Sequence, residues 1–517
     1  MPEPLSFGRL DLEIVASMDK ARGVPERDTP FRVLIMGDFS GRATGGVRER
    51  GSDLAERRRH RIDRDDLDEV MGKLKVAINL PFAGKDSEPI TLRFSELDDF
   101  HPDRLVDRIE FFGKLRDALS RKCGATPNAE LPAAIRSRDN RAAASEPDHL
   151  LDTLQTQTAA SLLDEILEDT PDATSQQGSG KNASEWDLFL REITFPHTAP
   201  VESRTQRELQ ETVNAASGEL LRAILHFPDF QNLEAAWRGL HFLVSRVETK
   251  DDLQLYLLDC SREELADDLG APANLSETGL YRVLVGEQGV IPDTIPWAMV
   301  AGVYHFGADV ADAELLGRIA RVAAAAGAPF VAAAEDTLLG SASLARTPDP
   351  REWTALPEPQ CASRAWDALR KLPEAACVGL VMPRFLLRLP YGADTVPIER
   401  FAFEELDAGE FHDQYLWGNP ALVVACLLAQ AFGDSGWDFR PGVIQEIDNL
   451  PLPVVRTAEG PQITPCAEVV LTEQAVEAIM DRGIMPLLSL RNQDVVRLAR
   501  VQSLSDPPSP LAGPWDR

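Results

Sequence analysis

Positive charge is scarce in this chain. Its 517 residues carry 53 Lys and Arg against 83 Asp and Glu, a formal charge of -30. Such a field repels phosphate and argues against a protein that reads a nucleic-acid backbone. One arginine-rich run, RERGSDLAERRRHRIDRDD at residues 48–66, is interleaved with nearly as many acids and reads as a salt-bridged surface. Cysteine is also sparse. Cys123, Cys260, Cys361, Cys377, Cys426 and Cys466 stand far apart with no CxxC spacing, which excludes a zinc knuckle or redox dithiol and fits a reducing compartment. The eight histidines show no HExxH or paired ligand spacing, so no metal site is expected. Long apolar runs are missing too. The longest uncharged stretch, Gln414 to Gly433, contains Asn419, Pro420 and two glutamines and reads as a buried helix, not a membrane span. The start, MPEPLSFGRLDLEI, has no basic residues leading into an apolar core and is not a secretory signal. A cytoplasmic protein is expected.

Catalytic motifs are equally thin. FRVLIMGDFSG at 31–41 is an apolar strand followed by two glycines, an acid and a hydroxyl; a phosphate cradle needs more glycines, a lysine and a helix start, so the segment reads as a strand and a turn. Gly433-Asp434-Ser435-Gly436 matches a serine-nucleophile stretch over four residues only, without the disulfides and dense short strands of that fold. It reads as a loop after the buried helix. The acids at Glu404 and Glu405 have no identifiable acid-base partner. RLPYG (388–392) and YLWGNPA (415–421) suit tight, packed corners. No catalytic, cofactor-binding or metal residue is assigned, and no enzyme activity is expected.

What is present is a long chain with internal punctuation, enough for about three domains at ~150 residues each. A first unit runs from residue 1 to 122. In it KLKVAINL (73–80) and PITLRF (89–94) read as strands, and a helix follows with Pro102 in its first turn. Leu105, Ile109, Phe112, Leu115 and Leu119 recur at helical spacing and give that helix one apolar face, packed on its own sheet or shared with a partner. Residues 123–185 are rich in Ala, Pro, Ser, Gln and Gly and read as a flexible linker. Inside it, ASLLDEILEDT places Leu162, Leu163, Ile166 and Leu167 on one side of a short helix at about 160–169. The pattern fits a docking peptide, and it fits equally the first helix of the next domain.

From 186 to 517 strands and helices alternate. LQLYLL (253–258) precedes a helix opened by a Ser261–Glu264 capping box; IPWAMVAGVYHF (295–306) precedes a helix stopped by Gly327, and APFVAAA (328–334) is the next strand. CAEVVL (466–471), a helix from Thr472 to Gly483 and IMPLLSL (484–490) repeat the order in shorter form. A mixed α/β fold is expected, with mainly parallel βαβ units in the larger part and sheets covered by helices.

The first unit resembles the small contractile-sheath subunit of type VI secretion systems (TssB, or VipA) through VLIMGDFSG, IDRDDLDEVM, LRF followed by SELDDFHPD, and KLRDAL. The second resembles the large sheath subunit (TssC, or VipB) through ILHFPDFQNLEAAWRGLHFLV (224–244), APFVAAA, LLRLPYG, FAFEE, YLWGNPA and GIMPLLSLRNQD. The resemblance implies a fused structural protomer that pairs its two units, polymerises as a helical sheath around an Hcp-type inner tube, engages baseplate components, and contracts. It further implies a ClpV-type AAA+ ATPase as the disassembling partner, with LLDEI at 162–166 matching the docking helix of that family. Leu162, Leu163, Ile166 and Leu167 are the anchors expected there, and Ile109, Phe112 and Leu119 are expected at the contact between the two units. Two departures stand out: the subunits are fused, and the large unit is shorter at its C-terminus than is usual. A sheath-like paralogue that caps or regulates without polymerising is the alternative.

Overall fold

The computed structural model describes residues 6–9, 25–46, 48–80, 90–110, 112–114, 206–286, 295–353, 360–406, 412–457 and 460–516. Strand β1 (Phe31–Gly37) comes first, β2 (His60–Ile62) follows two short helices, and β3 (Ala77–Leu80) and β4 (Ile90–Arg93) form a hairpin. After the helices Gln206–Leu225 and Pro228–Arg246 come β5 (Leu253–Asp259), β6 (Met299–Phe306), β7 (Phe330–Ala334) and β8 (Val378–Met382). The chain then makes β9 (Phe385–Leu386), β10 (Trp417–Gly418), β11 (Glu446–Ile447), β12 (Val454–Thr457), β13 (Gly460–Ile463), β14 (Ile484–Ser489) and β15 (Val496–Leu498).

Nine of these strands build one mixed sheet in the order β11-β15-β14-β8-β7-β6-β1-β5-β2. The run from β14 through β8, β7, β6 and β1 to β5 is parallel, and antiparallel strands close both edges. Both faces are covered, as parallel sheets require. On one face Phe31, Val33 and Ile35 join a core with the helices Pro228–Arg246 and Ala421–Ser435; on the other Leu34 and Met36 meet the helices Arg262–Gly270 and Val310–Ala326. The continuous apolar run of β1 thus reflects burial on two faces at once.

Local signals were obeyed at several ends. Pro102 opens the helix Pro102–Arg108, Ser261 and Glu264 form their reciprocal cap, and Gly327 ends the helix Val310–Ala326 at φ 68. Five expectations change. Gly433-Asp434-Ser435, read as a loop after the buried helix, is the last turn of the helix Ala421–Ser435, which stops at Gly436 with φ 58. The strand expected over 73–80 starts only at Ala77, because Leu67–Leu74 is helical and Lys75 caps it in the left-handed region. The strand expected over 295–306 starts at Met299. The single helix expected after Pro102 is interrupted at Ile109, where Arg108 leaves to bond Asp99 and the Arg93 carbonyl. CAEVVL is no strand: its backbone meets the chain beside it only through an isolated Ala467–Phe385 bridge, while Glu468 turns in to Arg384. Among the described residues no helix is long and apolar enough to cross a membrane.

Candidate functional site

The segment that begins the chain and the segment after residue 206 meet along a seam, and β1 is its centre. It pairs with β5 over seven positions, from Phe31–Leu253 to Gly37–Asp259, and with β6 from Val33–Met299 to Met36–Gly302. Backbone bonds at both ends lock the register: Phe31 N–H donates to Asp252 O at 2.7 Å, and Cys260 N–H to Gly37 O at 2.8 Å. Phe31, Val33, Leu34, Ile35 and Met36 are wholly buried. At ~1.5–3 kcal/mol per side chain this strand alone sequesters on the order of 10 kcal/mol of apolar transfer free energy.

At the carboxyl end of β1 the GDFSG segment turns, and its polar groups are used inside the fold. Asp38 accepts from the backbone N–H groups of Arg42 and Ala43, at 2.7 and 2.8 Å, closing the turn on itself. Asp259, from the end of β5, accepts from Phe39 N–H at 2.8 Å, Ser40 N–H at 3.1 Å and Ser40 Oγ at 2.6 Å. Burial pushes the Asp259 carboxyl up in spite of those donors. Trp237 Nε1 donates to Phe39 O at 2.8 Å, and the two rings meet edge to face at 5.7 Å. Gly41 has φ 79, and a Cβ there would collide with the Ala77 carbonyl oxygen, so the position admits glycine for two reasons.

Glu264 is the electrostatic centre of the seam. Its fully buried carboxylate accepts from Arg42 Nε at 3.1 Å and from both terminal nitrogens of Arg57, at 2.9 and 3.0 Å. Backbone N–H groups of Glu49 and Ser261 each add a bond at 3.0 Å. Burial raises this carboxyl, but the bonds from Arg57 and Arg42 outweigh it and hold it at about 2. Arg57 also donates to Asp259 O at 2.6 Å. The arginine-rich run is therefore divided: Arg48 makes an exposed pair with Asp267, whereas Arg57 turns inward as part of the clasp. Further along, Asp268 accepts from Gly51, Gly279 and Leu280 N–H groups, and Asp103 accepts from those of Glu399 and Arg400. Arg400 pairs in addition with Asp107.

Behind the seam, RLPYG and FAFEE form a buried ionic corner. Arg388 donates to Glu234 at 2.9 Å and to both oxygens of Glu405 at 2.7 and 2.9 Å, while Glu405 also accepts from Tyr391 N–H at 2.7 Å. The Tyr391 ring meets His101 at 5.1 Å, which ties this corner to the first segment. Arg388, Glu234 and Glu405 are each paired, so the arrangement fixes geometry, and His226 lies half-buried beside it with Nε2 3.8 Å from Glu405. Among the described residues no group of three His, Cys, Asp or Glu is placed to hold a metal ion.

Of the residues singled out in the sequence, Ile109 and Phe112 are buried in the core that also contains Phe230, Leu233 and Trp237. Leu119 lies outside the described residues, as do Leu162, Leu163, Ile166 and Leu167. Sequence reasoning passed over Arg42, Arg57, Asp259 and Trp237, and took Glu264 for a helix cap only. The cap was a usable signal, since a capping glutamate has a second oxygen to offer.

The two segments that meet at the seam match different family models. Residues 208–505 match the family described as EvpB/VC_A0108, tail sheath N-terminal domain. Residues 12–122 match the family described as Type VI secretion system, VipA, VC_A0107 or Hcp2. A curated relative, the type VI secretion system sheath protein TssC1 of Pseudomonas aeruginosa, is 33% identical over 328 residues, covering 62% of this chain and 66% of its own length.

Proposed function

The chain belongs to the type VI secretion sheath family, with the small and large sheath subunits joined in one polypeptide, and from that premise we propose that it is a preassembled protomer of a contractile sheath. It polymerises around an Hcp-type inner tube, engages baseplate components and contracts to propel the tube. The observation that carries this reading is the place of β1, a strand from the VipA-like segment hydrogen-bonded on both sides by VipB-like strands. A protomer built this way moves as one body, so contraction repacks whole protomers against each other and needs no covalent chemistry.

In the same reading residues 1–122 are the small-subunit part, 123–185 the linker and 186–517 the large-subunit part, with Ile109, Phe112 and Leu119 at their contact. The helix at about 160–169 is the docking site for a ClpV-type ATPase through Leu162, Leu163, Ile166 and Leu167. Its spacing suits insertion of one apolar face into a partner groove.

Electron microscopy of the purified full chain tests the main reading. Long hollow cylinders are expected, and particles no larger than monomers or small rings overturn it. For the docking helix, Leu163→Asp with Ile166→Asp is expected to abolish binding to the ATPase N-terminal domain and leave assembly unchanged. Undiminished binding removes that assignment.

A further inference from the structure

Two cavities open at opposite ends of the parallel strands, and they differ in charge. At the amino end a cavity of about 800 Å³ is bounded by Arg32 at the start of β1, by Arg59 and Arg282, and by Ile295 and Trp297. The Arg32 guanidinium lies between the rings of Tyr256 and Trp297, 4.7 and 4.1 Å from their centroids, and donates to Ile295 O at 2.8 Å. Its Nε is sealed from solvent and has no hydrogen-bond partner. None of these three arginines has an ion-pair partner among the described residues. The acid on this lining, Asp516, is turned back to Gly513 N–H. In a chain of formal charge -30, this lining carries three arginines against one carboxylate among the described residues.

At the carboxyl end lies a cleft of about 570 Å³ with Asp229, Glu263, Asp309 and Glu335 on its lining. Its cations are already used: Arg262 pairs with Asp312 and Arg384 with Glu468. Asp229, Glu263 and Asp309 are exposed and have no ion-pair partner among the described residues. A seven-residue strand at ~3.3 Å per residue separates the two ends by roughly 23 Å, so an arginine-lined cavity and an acid-lined cleft lie at opposite ends of one sheet.

We propose that copies of this chain associate head to tail, the arginine cavity at the amino end of one sheet receiving the acidic rim of the carboxyl-end cleft of the next copy. The inference rests on the sheath reading and deepens it by naming a contact. Copies of an acidic chain repel one another, and attraction must come from local complementarity. A two-fold contact brings like poles together, arginines on arginines or acids on acids. A head-to-tail contact brings opposite poles together, and because it is heterologous it propagates into a helical polymer. Ile295, a large apolar side chain exposed at the cavity mouth, supplies contact area beside the charges.

The test is a charge swap in the full chain. One variant carries Arg59→Glu and Arg282→Glu, the other Glu263→Arg and Asp309→Arg; each now has like charge at both poles. Sedimentation at low salt is expected to show association lost in each variant alone and restored in their equimolar mixture, where every contact is again between opposite charges. Unchanged melting temperatures separate this from misfolding, and Arg59→Gln with Arg282→Gln offers a milder variant that should weaken association in the same direction. Association by both swapped variants equal to that of the unaltered chain overturns the contact and leaves the sheath reading in place. Salt-sensitive oligomers without tubes, dispersed by the swaps and regained on mixing, uphold the contact and count against the sheath. An unaltered chain that stays monomeric overturns both.

Discussion

Two groups of arginines in this molecule live under opposite conditions. Arg42 and Arg57 converge on one buried carboxylate, and their charge is consumed inside the protomer. Arg32, by contrast, is held by ring faces and a carbonyl, which fix the guanidinium without neutralising it, and Arg59 and Arg282 stand near it with no ion-pair partner among the described residues. The difference teaches that arginine content alone is silent about role. A fork that meets a carboxylate joins two parts of one fold, and a fork held by aromatic rings and a carbonyl keeps its charge for something outside it.

Removing the carboxylate from the first group is the strongest way to break the comparison. Glu264→Gln removes the buried anion from two largely buried guanidinium groups and leaves them the half-exposed Glu49 carboxylate, 2.6 Å from Arg57 and 3.2 Å from Arg42; denaturant unfolding should show a loss of about 3 kcal/mol. Trp237→Phe keeps the ring against Phe39 but strips the Nε1 donor from the Phe39 carbonyl; about 1–3 kcal/mol is expected in the same measurement. Arg59→Gln, in the second group, should move stability by no more than about 0.5 kcal/mol, because an exposed side chain without a partner contributes little to the fold. A large loss there would mean that Arg59 has an internal partner.

Acid sharpens the contrast further. The folded-state value of Glu264 is depressed from 4.5 to about 2, so its stabilisation is complete above the unfolded value and is lost as pH falls from near 4.5 through about 2. Glu468 is depressed to about 2 as well, held by Arg384 and His412 against the cost of burial. Burial raises Asp312 and Glu335 in the cleft, so these take up protons earlier and the fold gains, not loses, from their protonation. The melting-temperature gap between the unaltered chain and Glu264→Gln should therefore shrink between about pH 5 and pH 3. A gap that stays constant removes Glu264 as the titrating group.

The elements were legible where the signal is local. An apolar β-rich run bounded by glycine became β1, the Ser261–Glu264 box opened its helix, and Gly327 closed another. The pairing of β1 was not legible, because nothing near residue 31 announces hydrogen-bond partners beyond residue 250. The seam was hidden for the same reason. Arg42 and Arg57 look like surface charges in a mixed run, and only the fold brings Glu264 between them. CAEVVL shows the reverse error: its composition is that of a strand, but Glu468 is held inward by Arg384, and that tertiary bond overrides the local preference.

The position of β1 also has a consequence in time. Phe39 and Asp259, which hydrogen-bond at the end of the strand, are 220 residues apart in the chain. At ~5–20 residues per second, ribosomal synthesis leaves β1 waiting on the order of ten to forty seconds for its neighbours. Throughout that interval an apolar strand has two bare edges, the form most prone to pair with the wrong chain. When small and large subunits are separate polypeptides, each strand must find its partner by diffusion among all chains present. In the fused chain the partner emerges from the same ribosome, so the wait is fixed by the translation rate and does not lengthen when the protein is scarce.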